Sequence, residues 1–249
     1  TAEYRRWKFP LRVQAPAREL EEYELADHVT VCSRFAAATF LEQGYRNVMN
    51  VGPQAIELLR WRTPPKRCTP KQQVFLYLAQ LGVRKGTFDL LDAWRMAKAP
   101  GLLLVAGLAE RKEVKDRVMA AIAATPACEY LGQIPFKRLI DVYRRSSVVV
   151  MPSVEEGASM VPHEAMAAGL PVIATTNVGC DILQDGENGF VVPVANPKAL
   201  AAAMRRYAGD ERLRFRHARG AAASAGICDV PRYGARYAAA LREMMDARR

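Results

Sequence analysis

The sequence predicts an α/β fold, a doubly wound parallel sheet, and three observations carry that expectation. From Val74 onward, short apolar runs and helical stretches alternate steadily. The runs are uninterrupted, as expected of strands covered on both faces by crossover helices. The 249 residues, 50% of them hydrophobic, suffice for one large core or for one and a half domains. In such a sheet, ligands sit outside the carboxyl ends of the strands.

Residues 1–18, with Arg5-Arg6-Trp7-Lys8, Pro10 and Pro16, read as a poorly defined lead-in, a severed piece of a preceding domain. Thr1 stands where an initiator Met would, which also reads as a fragment. Glu19 to Glu24 open a helix, and Ala26 to Ser33 form an apolar strand ending in a polar turn. Arg34 to Gln43 form a helix stopped by Gly44, and Val48 to Gly52 a short strand. The stretch from Pro53 to Pro70 sets Pro64, Pro65 and Pro70 among basic residues and is the expected boundary. Residues 1–62 then form one unit with its linker, 63–228 the sheet and 229–249 a closing helix. Strands are expected near Val74–Ala79, Leu102–Ala106, Glu129–Leu131, Ser147–Met151, Val172–Thr175 and Phe190–Val192. Helices are expected near Phe88–Ala97, Arg111–Ala123, Lys137–Arg145, Met160–Ala168, Pro197–Tyr207, Glu211–Ala225 and Val230–Ala247.

Charge and cysteine usage bound the function classes. A formal charge of +10 suits anionic partners: nucleotides, anionic lipids or nucleic acid. Most of the excess is helical arginine, as at Arg205, Arg206, Arg212, Arg214, Arg216, Arg219, Arg248 and Arg249. A solvated helical surface is the first account of it and weak attraction to a membrane the second. Nucleic acid comes last, because no RNP-like motif, zinc finger or clear helix-turn-helix accompanies the charge. Cys32, Cys68, Cys128, Cys180 and Cys228 are scattered, odd in number and without CxxC spacing. That argues for reduced packing thiols in a cytosolic setting and against a disulfide or zinc framework. No apolar run approaches a membrane span, and no signal-like segment opens the chain. His28 reads as a strand or turn histidine and His217 as an exposed helical one.

The stretch Met151–Thr175 carries the densest chemistry. Val148 to Met151 form a strand end that stops at Pro152 and Ser153. Glu155 and Glu156 follow, directly before Gly157, where backbone can approach a ligand closely. Ser159 is a fair N-cap, Pro162 is tolerated only in a first turn, and Gly169 with Pro171 marks the helix end. The first helical amides, at Met160 and Val161, point out of the N-terminus, where the macrodipole adds positive charge and a diphosphate can settle. Glu156 then lies before this anion site and Glu164 one turn inside the helix. Ionised carboxylates only accept hydrogen bonds, and the vicinal hydroxyls of sugar and ribose are natural donors to them. On exposure preferences alone, Glu156 is a solvated turn residue and Glu164 an exposed helical one.

A second constellation is the loop Gln80-Leu81-Gly82-Val83-Arg84-Lys85-Gly86, which leaves the sheet's first strand at its carboxyl end. Lys85 can reach a bound diphosphate as a point charge, and Gly86 keeps the entry uncrowded. As a bare Arg-Lys-Gly tripeptide the loop reads equally as an exposed one. Tyr130 to Pro135 form another strand-end loop, which contains Ile134, and Asp185 to Gly189 read as a structural turn.

Together these segments resemble the donor-binding domain of the family 4, or group 1, glycosyltransferases, which have the GT-B fold with Rossmann-like domains. The family carries a Glu, seven residues, Glu motif inside PS-x-x-EG followed by EAMA-x-G-x-PVIAT. Here it appears as Glu156-Gly157 through Glu164-Ala165-Met166-Ala167, then Gly169 and Pro171 to Thr175. The family's usual Phe-Gly after the first Glu-Gly is Ala158-Ser159. Its G-R-L-x-x-x-KG segment matches at Lys85-Gly86, with Ala79 and Gln80 in place of the glycine and arginine, and Arg84 is the candidate to replace the lost charge. Residues 22–33 resemble the E-x-x-x-AD-x-[VI]-x-x-S segment that closes the acceptor-side domain. Gly179 and Asp181 stand where many relatives have paired glycines and a glutamate.

The resemblance implies transfer of a sugar from a nucleoside-diphosphate donor to an unidentified sugar, lipid or other acceptor, with retention, no cofactor and no obligatory metal. It implies that Glu156 contacts the donor sugar hydroxyls, Glu164 the ribose, and Lys85 with the Met160 and Val161 amides the departing diphosphate. Gly157, Ser159 and Arg84 complete the donor set, and Ile134 is a candidate to border the base, with a core or turn role as the other reading. Residues 1–62 would be a remnant of the acceptor-side domain and the last helix would cross back to it. The isolated chain would bind nucleotide with little turnover, in the cytoplasm or at the inner face of a membrane. Two other classes fit the same features. GT-B epimerases and phosphorylases share the fold, and an epimerase yields new sugar isomers from donor alone. A basic membrane- or nucleic-acid-binding module predicts salt-dependent binding that survives Glu164→Ala.

Overall fold

The computed structural model describes residues 17–109 and 112–246. The expected lead-in before Ala17, Arg111 at the start of an expected helix, Ala247 at the end of another, and Arg248-Arg249 lie outside the described residues.

The chain begins with a small unit: α1 (Ala17–Leu25), β1 (Val29–Val31), α2 (Arg34–Glu42) and β2 (Val48–Asn50). β1 and β2 form a two-stranded parallel sheet, with Val29 opposite Val48 and Val31 opposite Asn50. Neither α1 nor α2 has a buried residue, and Tyr23, Phe40 and Tyr45 pack edge to face between them. The proline-rich connection is not slack: Ile56 pairs with Asp229, and α3 (Leu58–Trp61) drives Trp61 to 2% exposure inside the main core.

The main sheet has six parallel strands: β3 (Val74–Leu78), β4 (Leu102–Ala106), β5 (Cys128–Gly132), β6 (Val148–Met151), β7 (Val172–Thr175) and β8 (Gly189–Val192). Their spatial order is β5-β4-β3-β6-β7-β8. The chain walks outward from β3 to β5, then returns to β6 beside β3, pairing Phe75 with Val148 and Leu76 with Val149. The β3/β6 junction is therefore the topological switch point, where doubly wound sheets open a crevice for ligands.

Successive side chains of β3 enter opposite layers. Phe75 and Tyr77 join Leu90, Trp94, Val105, Met204 and Tyr207, whereas Leu76 joins Val149, Met151, Tyr143, Ala165 and Met166. Phe75, Leu76 and Tyr77 are all fully buried, which explains a run without polar alternation. Each such apolar side chain contributes about 1.5–3 kcal/mol relative to exposure, so the sheet needs both helical layers. The covering helices are α4 (Thr87–Ala97), α5 (Lys112–Ala123), α6 (Leu139–Arg145), α7 (Met160–Ala167), α8 (Pro197–Gly209) and α9 (Glu211–Ser224). Asn196 caps α8 through the Ala199 amide at 3.0 Å, and Asp210 caps α9 through the Leu213 amide at 2.9 Å. The last helix, α10 (Val230–Asp246), sets Ala240 and Met244 against Val51 of the first unit. Among the described residues no helix is long and apolar enough to cross a membrane.

Two expectations about α9 need correction. His217 is fully buried, its Nδ1 2.9 Å from the Tyr207 hydroxyl and its ring edge-on to Phe190. Arg214 is 1% exposed and not part of a solvated surface. It donates to both Glu211 carboxylate oxygens at 2.7 and 2.8 Å, to the Ser147 carbonyl at 3.2 Å and to the Lys66 carbonyl at 2.6 Å. The cause is helical phase: α9 turns Leu213, Arg214, His217, Ala218 and Ala221 inward together, leaving Arg212, Arg216 and Arg219 in solvent.

Candidate functional site

The loops that follow β3 and β6 meet at the switch point. Lys85 is carried on the first of them, and its position is set from below. The Tyr77 hydroxyl donates to the Lys85 carbonyl at 3.0 Å and lies 2.8 Å from Thr87 Oγ1, which accepts from the Gly82 amide at 2.8 Å. Tyr77 has one proton, so Thr87 donates to Tyr77 and both hydroxyls are satisfied. Gly86 has φ +70°, and a Cβ there would stand 2.0 Å from the Pro152 carbonyl oxygen. Only glycine permits this approach of the Lys85 loop to the end of β6. The Val154 amide completes the seam by donating to the Arg84 carbonyl at 2.8 Å.

Across that seam the Lys85 ammonium forms an ion pair with the Glu156 carboxylate, the two side chains being 14% and 15% exposed. Burial, then the neighbouring Arg84 guanidinium, push the Lys85 pKa down from 10.5 to about 8, and Glu155 opposes them. The touching Glu156 carboxylate works in the same direction as Glu155, so Lys85 is charged at neutral pH. Glu156 is accordingly not a solvated turn residue. Arg84 itself is exposed, as is Gln80.

Gly157 lies exposed beside Glu156, and Ser159 takes the extended backbone of a cap at φ −97° and ψ 136°. Its hydroxyl, however, makes no capping hydrogen bond, which corrects the expected side-chain cap; the Ser159 carbonyl instead meets Nδ1 of buried His163 at 2.7 Å. The cap side chain thus leaves the first-turn amides of α7 to other acceptors. Met160 is 38% exposed and Val161 half-buried at this mouth.

Glu164 is 8% exposed, and the Tyr143 hydroxyl of α6 donates to its Oε2 at 2.8 Å. It is not an exposed helical residue. Burial raises its pKa, while the Tyr143 hydrogen bond and the charge of Arg60 lower it. Tyr143 is held in turn by Trp61, ring centroids 5.6 Å apart and edge to face. The Arg60 guanidinium lies 3.9 Å over the ring of Phe136, beside half-buried Ile134. The structure therefore joins Lys85 to Glu156 directly and holds Glu164 separately on the α6 side of α7. Sequence reasoning missed Tyr143, Tyr77, Thr87 and Arg60, none of which carries a local signal. Among the described residues no group of three His, Cys, Asp or Glu side chains is arranged to hold a metal ion.

Residues 72–210 match the family described as glycosyl transferases group 1. A D-inositol 3-phosphate glycosyltransferase of Streptomyces avermitilis is 31% identical over 172 residues, covering 58% of this chain and 37% of that protein. Sucrose-phosphate synthase from Thermosynechococcus elongatus superposes with a TM-score of 0.79 at 23% identity, over 96% of this chain and 64% of that one. HepE of Anabaena, solved in complex with UDP-glucose, superposes with a TM-score of 0.75 at 19% identity, over 88% of this chain and 64% of that one. At these identities the superpositions establish the fold, and the chain spans little more than a third of the Streptomyces relative. The chain belongs to the group 1 glycosyltransferases, and its six-stranded sheet has the doubly wound architecture of their GT-B fold.

Proposed function

We propose that this chain binds a nucleoside-diphosphate sugar and supplies the donor half of a retaining glycosyl transfer. The observation that carries the reading is the Lys85–Glu156 ion pair, set at the switch point and at the mouth of α7. An incoming diphosphate takes the Lys85 ammonium and the first-turn amides of α7, and it releases Glu156 to accept hydrogen bonds from the sugar. Glu164, already oriented by Tyr143, has a second oxygen for the ribose hydroxyls. As the glycosidic oxygen departs, negative charge grows on the diphosphate where the ammonium and amides are already aimed, so no obligatory metal is invoked. Glu156 is an orienting residue in this reading and not a general base. HepE, solved with UDP-glucose, supports the donor class by its shared fold.

The test is calorimetric titration with UDP-, GDP- and ADP-glucose. One of them is expected to bind, and Lys85→Ala to weaken it about 10- to 100-fold, the worth of a hydrogen bond to a charged group. Glu164→Ala is expected to weaken it similarly. The chain alone is expected to bind without efficient turnover. Absence of binding by all three donors, or affinity indifferent to both substitutions, would overturn the reading.

A further inference from the structure

The loop that bears Glu156 hangs from side chains outside its own strand. Thr175 Oγ1 donates to the Ser153 carbonyl at 2.5 Å, and Asn177 Nδ2 to the Val154 carbonyl at 2.8 Å. The third suspension point comes from the N-terminal unit. Ser33, fully buried, donates its hydroxyl proton to the Gly157 carbonyl at 2.5 Å and accepts the Ala36 amide at 3.0 Å, capping α2.

Beside it, Asp181 receives α2 itself. The Arg34 amide donates to both carboxylate oxygens at 3.0 and 3.1 Å, and Asn50 Nδ2 donates to Oδ2 at 2.9 Å. The Arg34 guanidinium also donates to the Asp181 carbonyl at 3.0 Å. A carboxylate at the amide end of a helix is stabilised by the helix dipole as well as by the hydrogen bonds. Between these contacts lies Gly179 at φ +66°, where a Cβ would stand 2.2 Å from the Gly157 carbonyl oxygen and 3.0 Å from Ser33 Oγ. Residues 33–34, 157 and 179–181 therefore lock at van der Waals distance, one residue from the carboxylate that meets Lys85.

We propose that Ser33 and Asp181 are positioning residues for the donor sugar: they fix the Glu156 loop to the N-terminal unit, so that docking of that unit sets the Glu156 carboxylate. The inference rests on the donor-binding reading above. It follows from the tolerance of such sites, in which a contact side chain has to be held within about 0.5 Å of its productive place. Among the described residues, the clasp makes no hydrogen bond to Lys85, α7 or Glu164, which carry the diphosphate and ribose contacts, and Lys85 keeps its own support from Tyr77 and Thr87. By linkage, binding of the sugar tightens the docking of the unit as much as docking tightens the sugar.

The experiment compares, on the full chain, affinities for a nucleoside diphosphate and for its glucose conjugate, using whichever of the UDP, GDP and ADP pairs the wild type binds. Ser33→Ala and Asp181→Ala are each expected to weaken the conjugate about tenfold while leaving the diphosphate within twofold, and Ser33→Thr to restore the conjugate. A merely structural role lowers the melting temperature without changing the ratio of the two affinities, and an unchanged ratio in both alanine variants overturns the proposal. If Ser33→Ala does not fold, the ratio for Asp181→Ala decides alone. Wild-type chain that binds no nucleotide sinks the donor-binding reading and this one with it. Wild-type binding with an unchanged ratio sinks this one only.

Discussion

On the proposed donor-binding reading, Lys85 sets the pH window of the site. Burial and Arg84 bring its ammonium to about 8, with Glu155 in opposition, so the charge that a diphosphate needs is present below that value and lost above it. Donor affinity is expected to fall as pH rises from 7 to 9.5, and Lys85→Ala to flatten that profile; calorimetry across the range measures both. Glu164 has the opposite tension. Its folded pKa is raised by burial, so its contribution to stability is full below the ordinary value of 4.5 and lost as pH rises through the folded one. Glu164→Gln keeps an acceptor for Tyr143 and removes the buried charge. Its melting temperature is expected to exceed the wild type's at pH 7 and to converge with it near pH 4, while nucleotide affinity falls, because the remaining amide offers the ribose a poorer acceptor. Lys85, Glu156 and Glu164 were legible because a linear motif fixes them relative to strand ends. Tyr143 and Ser33 were not: their partners lie 21 and 124 residues away, and only the folded chain makes those distances short.

At the scale of elements, α9 shows why composition misleads where phase decides. Its arginines look alike in sequence, yet the inward stripe of Leu213, His217, Ala218 and Ala221 also carries Arg214. There the guanidinium ties α9 to the start of β6 through the Ser147 carbonyl and to the connection through the Lys66 carbonyl. Removing it takes the donor from these carbonyls and leaves Glu211 with the Cys68 amide but without its ion-pair partner. Arg214→Ala is expected to cost about 3 kcal/mol in urea unfolding, whereas Arg212→Ala and Arg219→Ala stay within about 0.5 kcal/mol. Equal losses for all three would mean that the interior bonds contribute nothing beyond surface charge. The six strands were readable to within a residue or two, because burial on both faces demands continuous apolar runs in the inner strands; β5, at the edge with Glu129 exposed, was placed by the alternation with helices. The four-residue α3 was not, since its text is short, basic and flanked by prolines, and its one anchor, Trp61, is held by packing from α6 and not by a local pattern.

For the whole molecule, buried apolar surface is divided unequally between the two sheets. The inner strands of the six-stranded sheet are buried on both faces, but the β1–β2 unit offers few buried apolar side chains, Val31 and Val51 among them, and is held by the Ser33 and Asp181 contacts and by α10. Units with little buried apolar area open at lower free energy than the core they lean on. Native-state hydrogen exchange measures this with four amides: those of Val29 and Val51, bonded within the small unit, and those of Leu103 and Val149, bonded within the main sheet. The first pair is expected to exchange at least tenfold faster than the second. Met244→Asp, which places a charge in the contact between α10 and Val51, is expected to speed Val29 and Val51 further while leaving Leu103 and Val149 unchanged. The proline-rich stretch is the boundary expected from sequence, but a boundary in sequence does not say how firmly the two sheets are joined, since firmness depends on contacts made across the fold. If all four amides instead slow together in the wild type and quicken together in the variant, the units open as one. The clasp and α10 would then be parts of a single cooperative core and not a joint between two.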